Sequence, residues 1–184
     1  MRPPARLRRT YFDCRFGQLH VYQAIPPGGG FDEATALLCI PGAIGEGRFF
    51  QALLAPLGAD RSIYAPDLPG SGMSDPAPAP FGAEQHAQAL LDLLDSLRQR
   101  RVDVLAHAAG AEVAAALAAA RPNGLVRRVV CSAASTAALA AVRKHCSNCD
   151  ELTLAGTADA TISDASDKLQ VNELIRIFGS AQPG

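Results

Sequence analysis

The side chains most able to do chemistry fall in a few short runs. His107 stands in Ala106-His107-Ala108-Ala109-Gly110, at the head of an apolar stretch, where a neutral imidazole could take a proton from water as a general base. A single histidine beside a buried strand is more often a packed, hydrogen-bonded part of the core. Lys144-His145-Cys146-Ser147-Asn148-Cys149 has the C-x-x-C spacing of a redox pair or of half a zinc site. No second C-x-x-C exists, and a redox pair should open a helix after a strand, whereas this one follows a helix. Free thiols in a loop and no bound metal are therefore the expectation. The run Ala65-Pro66-Asp67-Leu68-Pro69-Gly70-Ser71-Gly72-Met73-Ser74-Asp75 is punctuated by glycine and proline, which fix a tight turn. Ser74 is expected to bond locally there rather than attack a substrate. His20 in a hairpin, His86 in an exposed helical turn and His145 far along the chain complete no dyad by spacing.

The chain around these residues has 184 residues with 17 Lys+Arg, 18 Asp+Glu and 48% hydrophobic residues, the balance of one soluble domain. A net charge of −1 gives no field for nucleic acid or anionic lipid, so neither is an expected partner. Arg2, Arg6, Arg8 and Arg9 make the start basic, and residues 1–9 read as a solvated, flexible tail. No secretory apolar region follows them, because Asp13, Arg15 and Gly17 interrupt Tyr11 to Gln18, which implies a cytoplasmic chain. Val104 to Ala120 is too alanine-rich, and holds His107 and Glu112, to span a membrane. Five scattered cysteines fit a reducing compartment. The absence of Trp, with 35 alanines, implies helices packed closely through small side chains.

Those residues need a scaffold, and the hydrophobic pattern supplies one. Thr10 to Ala24 alternates around Phe16-Gly17 as a β-hairpin. Ala36 to Ile40, closed by Pro41-Gly42, is a short apolar run of the kind buried on both faces of a parallel sheet. Phe49, Phe50, Leu53, Leu54 and Leu57 recur at helical spacing before Gly58, and Ser62 to Ala65 is the next strand. Helices over Glu84 to Arg98, Ala109 to Ala120, Thr136 to Lys144 and Ala165 to Phe178 alternate with strands over Val102 to Leu105, Val126 to Cys131 and Glu151 to Ala155. Strand–helix alternation predicts one α/β domain over residues 1–184, doubly wound, with a mostly parallel sheet led by the antiparallel hairpin and functional loops at the carboxyl ends of the strands.

With the strands placed, four loops over residues 10 to 160 resemble the α/β-hydrolase superfamily. Asp67 to Asp75 is similar to its D-x-P-G-x-G-x-S-D loop after the fourth strand. Cys39-Ile40-Pro41-Gly42-Ala43-Ile44-Gly45 stands where the family usually has His-Gly, with Pro41 in place of the histidine, and the resemblance implies the Ala43 amide as an oxyanion-hole donor. Ala106 to Gly110 occupies the place of the G-x-S-x-G nucleophile elbow, which puts Ala108 at the nucleophile position and the Ala109 amide as the second oxyanion donor. Leu152 to Asp159 resembles the segment that often carries the triad acid, which would be Asp159. Only 25 residues follow it and none is histidine, so the last strand and the catalytic base are missing, as is the cap insertion after Cys131.

The resemblance thus implies a shortened hydrolase fold lacking Ser–His–Asp catalysis, with no cofactor and no metal, because the methyl of Ala108 cannot form an acyl-enzyme. Two alternatives stay open. One is a hydrolase of a small ester or amide in which His107 activates water, Asp159 orients it, and the Ala43 and Ala109 amides hold the oxyanion. The other is a non-enzymatic module whose uncapped apolar mouth takes a small molecule, or is covered by a second copy or a partner chain across the truncated sheet.

Overall fold

Ala36–Ile40 (β3) is buried at all five positions, which only a strand at the centre of a covered sheet can be. Its side chains alternate: Leu38 and Ile40 join one core with Val102, Val104, Ala106, Val129 and Cys131, and Leu37 and Cys39 join a second with Ile63, Leu105 and Val130. A pleated strand sends successive side chains to opposite faces, so helices must cover both. The computed structural model describes residues 4–28, 34–42, 45–79, 81–122, 124–151 and 167–179. Among them, β1 (Arg6–Cys14), β2 (Gly17–Ile25), β3, β4 (Ile63–Pro66), β5 (Val102–His107), β6 (Val126–Ser132) and β7 (Cys149–Glu151) form one sheet in the order β1-β2-β4-β3-β5-β6-β7. The β1–β2 hairpin is antiparallel and lies antiparallel on β4, and β4, β3, β5, β6 and β7 are mutually parallel.

The helices α2 (Ala83–Ser96), α3 (Gly110–Ala120) and α4 (Thr136–His145) cover one face. A 3-10 turn over Gly47–Phe50, α1 (Gln51–Leu57) and α5 (Asp167–Gly179) cover the other, where Leu174 and Phe178 join Phe50, Leu53, Leu54 and Leu57. Ala111, Ala114, Ala115 and Ala118 of α3 are buried, and their short side chains let the helix lie close to its neighbours. The ends carry ordinary signals: Ser135 Oγ accepts from Ala138 N–H (3.1 Å) to cap α4, and Gln85 Oε1 accepts from Gly82 N–H (3.0 Å) at the start of α2. At the amino-terminal edge of the parallel strands, buried Asp103 accepts from Arg127 Nε (2.8 Å), and Arg61 bridges it to the Phe178 carbonyl (3.0 Å). Arg128 also donates to the Ile177 carbonyl. Two cations thereby hold the carboxyl end of α5, the end that attracts positive charge.

Several boundaries differ from the sequence reading. The first strand starts at Arg6, so Arg6 to Arg9, expected in a flexible tail, instead pair with Ile25 to Tyr22 of β2. β5 runs two residues further than expected, through His107, because its parallel neighbours β3 and β6 supply partners up to that point. β7 begins at Cys149 rather than Glu151, and residues 152–155 lie outside the described residues. No helix among the described residues is long and apolar enough to cross a membrane.

Candidate functional site

Ala108 follows the carboxyl end of β5 and precedes α3, with φ of +48°. That left-handed conformation is uncommon for any residue with a β-carbon. It is held from both sides: Ala108 N–H donates to the Ser132 carbonyl of β6 (2.7 Å), and the Ala108 carbonyl accepts from Ala111 N–H (3.1 Å) in the first turn of α3. Ala109 has returned to helical angles, φ −61° and ψ −18°, so its amide heads the helix.

The chain after β3 lies on this elbow. A β-carbon at Gly42 would fall 3.0 Å from Ala108 Cβ and 3.1 Å from the His107 carbonyl oxygen, and one at Gly110 would fall 2.5 Å from the Ile40 carbonyl oxygen and 2.7 Å from that of Pro41. Glycine on each side permits the contact. The loop expected to carry the first oxyanion donor therefore abuts Ala108, although Ala43 itself lies outside the described residues, as does Asp159.

His107 does not project into solvent. Its side chain is stacked on Phe49, ring centroids 4.3 Å apart, the residue is 2% exposed, and Nδ1 lies 3.3 Å from Ser132 Oγ. Its Nε2 is buried with no hydrogen-bond partner among the described residues. Burial holds its pKa below the ordinary 6.5, since the charged ring would lose its hydration. The unfolded chain then binds a proton below about pH 6.5 that the folded chain refuses, so the contribution is full above that pH and declines as pH falls toward the folded pKa. We expect the stability advantage of the native chain over His107→Gln, measured by urea unfolding, to shrink between pH 7 and 5 by up to about 1.4 kcal/mol per pH unit. A constant difference would mean that His107 takes up its proton as readily in the fold as in the unfolded chain.

A second histidine, which spacing alone gave no role, belongs to the loop after β4. His20 Nδ1 lies 2.9 Å from Asp67 Oδ2, both side chains being buried, and Asp67 also accepts from Gly47 N–H (2.7 Å) and Met73 N–H (3.0 Å). Ser74 Oγ donates to the Asp67 carbonyl (2.7 Å) and accepts from His20 N–H (2.9 Å), so its hydroxyl bonds locally, as its setting in the turn implied. Asp75 takes Gln18 N–H on its carboxylate (2.8 Å) and donates its own N–H to the Gln18 carbonyl (2.9 Å). The loop is a brace between β2, β4 and the 3-10 turn, with the Asp67 carboxylate buried and Asp75 pinning its exposed end to Gln18. No sequence spacing could have revealed the His20–Asp67 pair, because the two are brought together by the antiparallel β2–β4 pairing.

The cysteines are all free thiols. Cys146 is buried beside the Arg127 and Asn148 carbonyls at the end of α4, and burial raises the Cys146 and Cys149 pKa values, which makes for unreactive thiols. Among the described residues no group of three His, Cys, Asp or Glu is placed to hold a metal. A cleft of about 560 Å³ lined by Arg98, Arg100 and Arg121 opens at the amino-terminal edge of β5 and β6, the end opposite the elbow.

Residues 37–172 match the alpha/beta hydrolase family. Lipase LipV of Mycobacterium tuberculosis is 37% identical over 112 residues, an alignment covering 61% of this chain and 40% of that protein. Among solved structures, the N-acyl homoserine lactonase AidH superposes with a TM-score of 0.60 at 24% identity, over 69% of this chain and 45% of that one. An alpha/beta hydrolase from Novosphingobium aromaticivorans superposes with a TM-score of 0.60 at 26% identity, over 69% and 44%. The chain spans less than half the length of each of these relatives.

Proposed function

The chain belongs to the alpha/beta hydrolase family, and from that membership we propose that it keeps the elbow as a binding site for a small carbonyl compound without acyl-enzyme catalysis. One observation carries this reading. The residue with the strained backbone between β5 and α3 is alanine, whose methyl has no lone pair to attack a carbonyl. The amide of Ala109 still heads α3 and can donate to a carbonyl oxygen, which binds a ligand without breaking it. An acyl compound is the class favoured, because the similar proteins named lipase and N-acyl homoserine lactonase handle such molecules by name. A cytoplasmic location is part of the same reading, supported by five unpaired cysteines.

His107 supports the non-catalytic reading through its burial and its stacking on Phe49, since a general base must reach the water it activates. The partnerless Nε2 favours a second reading, in which His107 activates water with Asp159 orienting it. Incubating the purified chain with p-nitrophenyl esters of several chain lengths, and with an alkyl phosphonate that traps activated serine, separates the two. We expect hydrolysis at the buffer rate and no mass increase. Turnover abolished by His107→Gln, without phosphonate labelling, would establish the water-activating alternative instead.

A further inference from the structure

We propose that the free edge of β1 is a self-recognition surface, through which two copies of this chain pair strand to strand about a twofold axis at Tyr11. β1 is the outer strand of the sheet: β2 lies along one side, and no described strand lies along the other. The direction of its unpaired backbone groups follows from β2. The His20 carbonyl accepts from Asp67 N–H and His20 N–H donates to Ser74, while both backbone groups of Gln18 are taken by Asp75. Even-numbered residues of β2 therefore turn their backbone groups toward β4 and odd-numbered ones toward β1. In an antiparallel ladder the N–H and C=O of one residue point the same way and alternate along the strand. With Leu19 opposite Phe12 and Val21 opposite Thr10, the even residues of β1 bond to β2. Leu7, Arg9, Tyr11 and Asp13 then present their backbone groups outward.

All four of these residues are exposed, Leu7 by 54% and Tyr11 by 48%. The register from Arg6 to Cys14 is unbroken and contains no proline, so two usual protections of an edge strand, a bulge and a proline, are missing. Its charges select one partner. In antiparallel pairing about Tyr11, each Arg9 faces Asp13 of the second copy on the same side of the sheet, and the two tyrosines face each other. Opposite charges directly across a ladder favour pairing. Moving the axis to Thr10 sets Asp13 against Leu7, and moving it to Phe12 sets Arg9 against Arg15, so only the Tyr11 register makes both ion pairs. Both groups are available: among the described residues no carboxylate pairs with Arg9, whose guanidinium lies over the Tyr22 ring, and one Asp13 oxygen accepts from Gln18 Nε2, leaving the other. A closed pair of this kind has one copy of the same patch on each side, and it extends the sheet without using the elbow.

Sedimentation of the 184-residue chain across roughly 1 to 500 µM tests this. We expect a reversible monomer–dimer equilibrium that weakens with added salt, since the ion pairs are exposed. Asp13→Lys should leave a monomer at every concentration with an unchanged circular dichroism spectrum. The exchange Arg9→Asp with Asp13→Arg restores complementarity and should restore the dimer. Tyr11→Cys should close a disulfide across the axis under mild oxidation, because facing residues in a hydrogen-bonded antiparallel pair have a disulfide's Cα separation. A native chain that is monomeric throughout, a dimer indifferent to Asp13→Lys, or a folded charge-exchanged chain that stays monomeric would each overturn the proposal.

Discussion

Asp67→Ala is expected to cost about 3 to 5 kcal/mol of folding stability, because it takes the acceptor away from several buried donors at once. Its two oxygens accept from Gly47 N–H, Met73 N–H and His20 Nδ1, and the carboxylate is 2% exposed. Alanine would leave these donors without an acceptor in a place water hardly reaches, and each such group costs roughly 1 to 3 kcal/mol. The carboxylate also packs directly against the Gly72 backbone, where an added β-carbon would run into Asp67 Oδ2. Asp67→Asn, which keeps one acceptor oxygen, should lose about half as much. Urea unfolding of the three chains measures both numbers, and a loss under about 1 kcal/mol for the alanine chain would show that the loop is held by its backbone alone.

The comparable loss at the elbow comes from adding atoms. Gly110→Val places a β-carbon 2.5 Å from the Ile40 carbonyl oxygen and 2.7 Å from that of Pro41, backbone atoms that cannot swing away as a side chain end would. Either α3 moves off β3, exposing Ala111 and Ala114, or β3 is displaced from the centre of the sheet. Overpacking of a core ordinarily costs about 1 to 3 kcal/mol, and a clash with backbone on both strand and loop should reach about 3 kcal/mol or more. Thermal unfolding should show the loss directly. A Gly110→Val chain with native stability would contradict the close approach of α3 to the loop after β3.

The fold was legible because its signals are short and local. Ala36 to Ile40 reads as buried on both faces from apolar continuity alone, and the alternation of such runs with helical spacing admits few arrangements. The Asp67 to Asp75 loop carried its own turn chemistry. Boundaries were less legible where partners decide them. Arg6, Arg8 and Arg9 are charged and make residues 6–9 resemble a tail, yet they are strand because β2 offers Ile25, Ala24, Gln23 and Tyr22 opposite them. The extension of β5 through His107 is likewise a property of β3 and β6 rather than of its own residues.

The site divides in the same way. The small residues around Ala108 point to the elbow from sequence, and the positive φ there shows what they permit. The surroundings of His107 were not legible: Phe49 arrives from the 3-10 turn 58 positions earlier in the chain and Ser132 from the end of β6, and neither has a spacing that marks it. His20 lies in a hairpin, where no spacing gives it a partner, and it is the hairpin's pairing with β4 that carries it to Asp67.

The most direct test of a retained elbow without catalysis is to put the missing atom back. Ala108→Ser supplies a hydroxyl at the strained position, but a serine attacks only when a base takes its proton, and His107 is stacked on Phe49 with Nδ1 turned to Ser132. Stopped-flow hydrolysis of a p-nitrophenyl ester by the Ala108→Ser chain should therefore show no burst and less than about a tenfold gain over the native chain, a difference of under about 1.4 kcal/mol in the barrier. A burst equal to the enzyme concentration, followed by turnover raised about a thousandfold, would show that a base already stands in reach of residue 108 and would contradict the reading of this chain as a hydrolase fold without hydrolase chemistry.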